Sequence, residues 1–147
     1  KSHICTAIVG ELLKKRIPSL NVCWLSESTD IKQHSTDGEY YSEKVNRLKN
    51  VQGLYIDDFF KGNNKVPPTP ADIKLAIDIL NYRYNNARAS DKPQYTIIST
   101  ERTLNQITDW DMATAGRIQE MSQDFYTEIK GEEKNMRLPK NNTILTL

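Results

Sequence analysis

The sequence predicts an α/β fold in which helices flank a parallel sheet. Three observations lead there. The short apolar runs Val22-Cys23-Trp24-Leu25, Leu54-Tyr55-Ile56 and Tyr95-Thr96-Ile97-Ile98 have the length and composition of buried strands. Amphipathic stretches, with apolar residues three and four apart, alternate with those runs. Parallel neighbours need a crossover connection, so this alternation is the pattern of a parallel sheet.

The elements follow in order. Ile4, Ile8 and Leu12, with Val9 and Leu13, form an apolar stripe on a first helix that Pro18 must follow. Its last turn carries Lys14-Lys15-Arg16, cations that complement the helix dipole, so the run reads as a solvated helix end. Residues 22–25 predict the first strand. Residues 30–34 predict a helical turn, and 39–49 an amphipathic helix with Tyr41, Val45 and Leu48 inward. Its other face carries Lys44, Arg47 and Lys49, which reads either as an ordinary solvated face or as a surface for nucleic-acid phosphates. The second strand runs directly into Asp57-Asp58, and 61–68 is a loop rich in Gly, Asn and Pro. Thr69 as N-cap, Pro70 in the first position and Asp72 in the first turn start a helix. Ile73, Ala76, Ile77, Leu80 and Tyr84 mark its buried face, and 85–94 read as a loop. The third strand, 95–99, ends in Thr100-Glu101-Arg102. Thr103 and Gln106 form a capping box for a short helix. Residues 111–122 predict a helix with Ala115, Ile118 and Met121 inward. A final strand over 125–130, an edge ribbon over 132–137 and a tail over 139–147 complete the reading.

The 147 residues suffice for a single domain. Twenty basic and 19 acidic side chains leave a net charge of +1, which argues against a generally basic nucleic-acid coat. Cys5 and Cys23 sit in apolar runs and read as buried free thiols of a reducing compartment. His3 and His34 have no Cys or His at ligand spacing, so no zinc site is expected. No apolar stretch approaches the roughly 20 residues that span a membrane. With no signal peptide visible, the expectation is a cytoplasmic protein without membrane contact. A first residue of Lys rather than Met reads as a fragment, a processed form or part of something longer.

Candidate chemistry centres on Asp57 and Asp58. They close a buried strand at the sheet edge where α/β folds bind ligands. Paired acids there need a cation, and a hydrated Mg²⁺ carrying nucleotide phosphates meets that need. Lys1-Ser2, opening a helix, matches the last two positions of the phosphate loop G-x-x-x-x-G-K-[ST]. In that loop the lysine reaches the β- and γ-phosphates, and the hydroxyl ligates Mg²⁺. The polar strand end Ser99-Thr100-Glu101 and the later Gly116-Arg117-Ile118 complete the working set of a P-loop ATPase.

At these residues the chain resembles the AAA+ domain of the replicative helicase loaders of bacteria and phages, the DnaC/DnaI-like group. The resemblance runs from Lys1 to about Leu138. It lies in KSHICTAIVGELL, GLYIDDFFK, PTPADIKLAIDILNYRYNN, TIISTERTL and ATAGRIQEM, and is closest in style to loaders of Gram-positive bacteria, their phages and prophages. It implies one AAA+ domain over 1–147, a P-loop NTPase (AAA+/RecA-like) parallel sheet flanked by helices, with no helical lid domain. It further implies ATP and Mg²⁺ as cofactors. Lys1 and Ser2 match the Walker A lysine and hydroxyl. Asp57 matches the Walker B acid that, with Ser2, holds the metal. Asp58 matches the acid that orients or activates water. Thr100 and Glu101 occupy the sensor 1 strand end, and Arg117 matches the arginine finger that reaches a neighbouring subunit's ATP. Residues 29–50 match a helical insertion implicated in contacting single-stranded DNA.

The implied function is ATP-dependent loading of a replicative helicase onto single-stranded DNA, with self-association that places ATP between subunits. Helicase binding would use a region absent here. Two alternatives stand beside it: a transposition helper ATPase of the IstB type, and a non-hydrolysing AAA+ adaptor that holds partner proteins. The chain departs from the pattern in lacking the phosphate-loop glycines, so it should bind nucleotide poorly as given. It also carries Glu101 where sensor 1 more often has Asn; such an acid would repel phosphate unless paired, with Arg102 the candidate partner.

Overall fold

Three strands, β1 (Ser19–Cys23), β2 (Gly53–Asp57) and β3 (Tyr95–Ile98), form a parallel sheet in the order β1-β2-β3. The computed structural model describes residues 1–62 and 66–129. Six helices among those residues surround the sheet: α1 (Ser2–Lys14), α2 (Trp24–Gln33), α3 (Gly38–Asn50), α4 (Pro70–Ala89), α5 (Leu104–Trp110) and α6 (Met112–Ser122). The predicted α/β class and parallel sheet are therefore observed.

The central strand is the most apolar and the most buried. Leu54, Tyr55 and Ile56 are at most 1% exposed. Alternation along a strand sends Leu54 and Ile56 to one face and Gly53, Tyr55 and Asp57 to the other. Leu54 and Ile56 join Trp24, Ile31, Val45, Leu48, Leu75 and Ile79 in the main core, supplied by α2, α3 and α4. On the opposite side α1 packs over β1 and β2, burying Val9 and Leu12. Gly53 is required there. A Cβ at that position would collide with Ser19 Oγ and lie 3.1 Å from Leu12 Cδ1.

Arg83 holds one end of the sheet. It is completely buried, with no carboxylate partner among the described residues. Its guanidinium donates to the carbonyls of Leu48 (3.0 Å), Val51 (2.7 Å) and Tyr95 (2.7 Å) and to Thr96 Oγ1 (2.8 Å). Longer bonds reach the carbonyls of Lys49 and Gln52. The end of α3 leaves carbonyls without helical partners, and a cation suits that end of the dipole. Burial lowers the Arg83 pKa to about 10, still charged at neutral pH.

Several boundaries move from the sequence expectation. The first strand is Ser19–Cys23 rather than 22–25, and helix α2 starts at Trp24. The expected turn at 30–34 is only the end of that helix. Its buried residues are Trp24, Ser28 and Ile31. That is helical spacing, hidden in the sequence because the middle member is polar. Cys23 is exposed and Cys5 half-buried, so the expectation of two buried thiols fails; β1 is an edge strand and does not enclose its last residue. Helix α4 continues to Ala89 through the expected loop, and its face is turned. Leu75, Ala76, Ile79, Leu80 and Arg83 are buried, while Ile73, Ile77 and Tyr84 are only half-buried. The polar Arg83 on the core side made the other side look more apolar. Residues 125–129 form no strand; Phe125 is 88% exposed, with no strand beside it among the described residues. The remainder of that expectation, the ribbon at 132–137, the tail at 139–147 and the expected lack of a lid fall outside the described residues.

The local signals hold. Thr69 and Asp72 form a reciprocal capping box with Pro70 at the start of α4, and Thr103 and Gln106 do the same for α5. No described helix is long and apolar enough to cross a membrane.

Candidate functional site

The carboxyl end of β2 meets the first turn of α1. Ser2 Oγ donates to Asp57 Oδ1 at 2.9 Å. Lys1, the residue before α1, donates from Nζ to the Thr100 carbonyl at 2.8 Å. Lys1, Ser2, Asp57 and the strand end at Thr100 therefore come together, although they lie far apart in sequence.

Two further residues complete the cluster. The Tyr55 hydroxyl donates to Asp57 Oδ1 at 2.7 Å, and Ser99 Oγ donates to the same oxygen. Those two hydroxyls are 3.1 Å apart. The sequence carried a signal for both. Tyr55 is two residues before Asp57, on the same strand face. The pairing of Ile56 with Ile98 sets the next residues, Asp57 and Ser99, beside each other. Burial pushes the Asp57 carboxyl up, but hydrogen bonds from Ser99, Tyr55, Ser2 and the Asp58 N–H outweigh it and hold the pKa below the usual value. Burial, with Asp57 adding to it, pushes the Tyr55 hydroxyl up to about 12. Tyr55 is thus a neutral donor, and Asp57 an anion, across the physiological range.

Asp58 follows in a left-handed conformation, φ 53°, and Phe60 repeats it at φ 54°. Such backbone costs on the order of 1 kcal/mol or more for a non-glycine residue. It turns the chain sharply off the strand. Thr100 Oγ1 donates to the Phe59 carbonyl at 2.7 Å and braces the turn. The Asp58 carboxylate pairs with Lys61 Nζ at 2.8 Å. Arg102, the expected partner of Glu101, donates instead to the carbonyls of Phe60 and Gly62 and stacks on Trp110. Glu101 is exposed, with no hydrogen-bond or ion-pair partner among the described residues.

Arg117 lies elsewhere, on α6. Its Nε donates to Asn81 Oδ1 at 2.8 Å, its Nη1 pairs with Glu120 at 2.8 Å, and its guanidinium lies 3.9 Å from the Tyr84 ring centroid. Its recorded partners belong to α4 and its own helix. On α3, Lys44 pairs with Asp30 at 2.9 Å and Lys49 with Asp78 at 2.7 Å. Two of the three cations considered for phosphate contact are therefore engaged inside the chain.

The donor set suits a cation that brings its own ligands. Among the described residues no group of three or more His, Cys, Asp or Glu gathers to cage a metal. One carboxylate and one hydroxyl, 2.9 Å apart beside a lysine, match the sparse protein ligation of a magnesium–phosphate complex.

The chain is similar to two Bacillus subtilis (strain 168) proteins. One is the phage-like element PBSX protein XkdC, 34% identical over 142 residues, which cover 94% of this chain and 50% of that protein. The other, named uncharacterized protein YqaM, is 32% identical over 138 residues, 92% of this chain and 41% of that protein. The chain thus spans half or less of the length of either relative. No family model matches it, and no solved structure matches it.

Proposed function

We propose that the chain is a P-loop ATPase domain of AAA+ type, serving a loader that places a replicative helicase on single-stranded DNA. The carrying observation is that Ser2 bonds to Asp57 at the carboxyl end of β2 while Lys1, the residue before it, reaches the Thr100 carbonyl just past the neighbouring β3. The three residue types the phosphate chemistry requires stand together, at the sheet edge where such ligands bind. The name of XkdC assigns that relative to a phage-like element, which accords with the resemblance to phage and prophage loaders. Among the described residues β3 has a neighbour on one side only, which leaves an edge to which a further strand can add.

In this reading Lys1 exchanges the Thr100 carbonyl for phosphate oxygens. Ser2 and Asp57 hold Mg²⁺, which when bound offsets phosphate charge. Asp58 leaves Lys61 and accepts a proton from the attacking water as the bond between the γ-phosphorus and the ADP oxygen breaks. Arg117, released from Glu120, supplies positive charge to the ATP of an adjacent subunit. A transposition helper of the IstB type would use the same machinery for a different partner. The adaptor reading is favoured by two observations: Glu101 is exposed without a partner among the described residues, and Arg117 is engaged within its own chain.

The test is Mg²⁺-dependent ATP hydrolysis by the intact protein, with and without single-stranded DNA, for wild type, Asp58→Asn and Arg117→Ala. Loss in both variants, with recovery when they are mixed, supports a site shared between subunits. Absence of wild-type turnover with partner binding retained leaves the adaptor. Capture of a transposase rather than a replicative helicase moves the assignment to the transposition helper.

A further inference from the structure

Four donors converge on one oxygen of Asp57. The Tyr55 hydroxyl (2.7 Å), Ser2 Oγ (2.9 Å), the Asp58 N–H (3.0 Å) and Ser99 Oγ all bond to Oδ1. Among the described residues Oδ2 accepts no hydrogen bond. A carboxylate oxygen has about two lone-pair directions, so Oδ1 is saturated and Oδ2 is the oxygen left to bind.

Tyr55 is the donor that most needs a reason. It is completely buried on the central strand. Phenylalanine would fill nearly the same space without a hydroxyl, and a buried hydroxyl is costly unless bonded. Here it is bonded to the one carboxylate on its own strand face. The strand fixes the backbone of both residues, and the sheet fixes Ser99 beside them. Such outer-shell bonds set the direction of a metal-binding carboxylate.

We propose that Tyr55 is a positioning residue: with Ser99 it pins Asp57 through Oδ1 and presents Oδ2 to a divalent cation. This rests on the reading of Asp57 as the metal-holding acid. Ser2 is itself assigned to the cation, so Tyr55 and Ser99 are the side-chain donors that keep Asp57 in place once Ser2 is shared.

The experiment measures binding of fluorescent ADP to the intact protein as Mg²⁺ is titrated, and separately in EDTA. Direct Mn²⁺ affinity by electron paramagnetic resonance is a second readout that needs no turnover. The variants are Tyr55→Phe and Ser99→Ala. The expected result for Tyr55→Phe is unchanged ADP affinity in EDTA, a melting temperature close to wild type, and half-saturating Mg²⁺ and Mn²⁺ raised about tenfold. Ser99→Ala shifts the same way and decides the matter if Tyr55→Phe does not fold. An unchanged metal requirement in a folded variant overturns the positioning role while leaving Asp57 as the metal acid. Wild-type ADP binding indifferent to Mg²⁺, with no Mn²⁺ bound, overturns both.

Discussion

Ser2 Oγ and Asp57 Oδ1, 55 residues apart in sequence, are joined by a 2.9 Å hydrogen bond. That bond ties the first turn of α1 to the carboxyl end of the central strand. It is strong only while Asp57 is ionised, because charge-assisted hydrogen bonds exceed neutral ones.

Stability should therefore fall in acid. Asp57 and Asp72 both have folded pKa values below the usual one; burial opposes ionisation, but hydrogen bonds outweigh it, with Lys32 also drawing Asp72 down. A depressed folded pKa contributes stability that is fully present above the unfolded value, about 4, and is lost as pH falls through the folded value. Urea unfolding should thus give a contribution from these groups that is flat from neutral pH to about 5 and declines below about 4. Asp72→Asn should cost about 1 kcal/mol at pH 7 and flatten the decline. An acid profile identical to wild type would contradict this.

Replacing Arg83 should be the most damaging single change outside the site. Arg83→Met leaves the buried carbonyls of Leu48, Val51 and Tyr95 without their donor. The expected loss is roughly 3 kcal/mol or more, given the cost of orphaned buried polar groups. Arg83→Lys should recover only part of it, because one ammonium cannot span the same fork of acceptors. Denaturant titration of both variants checks the order.

Gly53→Ala should destabilise by roughly 2 kcal/mol, the usual scale of overpacking. The added methyl meets Ser19 and Leu12 beneath α1. Removing the Ser19 side-chain oxygen in the double variant Gly53→Ala/Ser19→Ala should restore part of the loss. A lack of coupling between the two would contradict the contact.

Arg117→Ala should cost less than about 1 kcal/mol, since Arg117 and Glu120 remain partly in solvent. If hydrolysis vanishes while the melting temperature barely moves, its role is in the reaction. A large fall in stability would assign it to holding α6 on α4.

The parts legible in the sequence were those governed by neighbours along the chain. Thr69-Pro70-Ala71-Asp72 and Thr103-Leu104-Asn105-Gln106 cap helices through bonds three residues long, so both starts were visible. The run Leu54-Tyr55-Ile56 is apolar on both faces and announced the central strand. The misreadings came where a polar residue stands in the core. Ser28 concealed the helical spacing of α2, and Arg83 concealed the buried face of α4. In the candidate site, Lys1, Ser2 and Asp57 were singled out by residue type and motif. Tyr55 was passed over although strand alternation places it on the face of Asp57, and setting Ser99 beside Asp57 required the strand register, which no local pattern states. The ion-pair partners of Lys44 and Lys49, and the Asn81 and Tyr84 that hold Arg117, lie on other helices and were likewise invisible.

The most direct measurement is equilibrium binding of fluorescent ATP to the intact protein in Mg²⁺, for wild type, Lys1→Ala and Asp57→Asn. The account predicts saturable wild-type binding, weakened at least tenfold by either substitution, with Asp57→Asn losing the dependence on Mg²⁺. Binding that neither substitution alters, or no binding by a folded wild type, would contradict a phosphate–magnesium site at the end of β2.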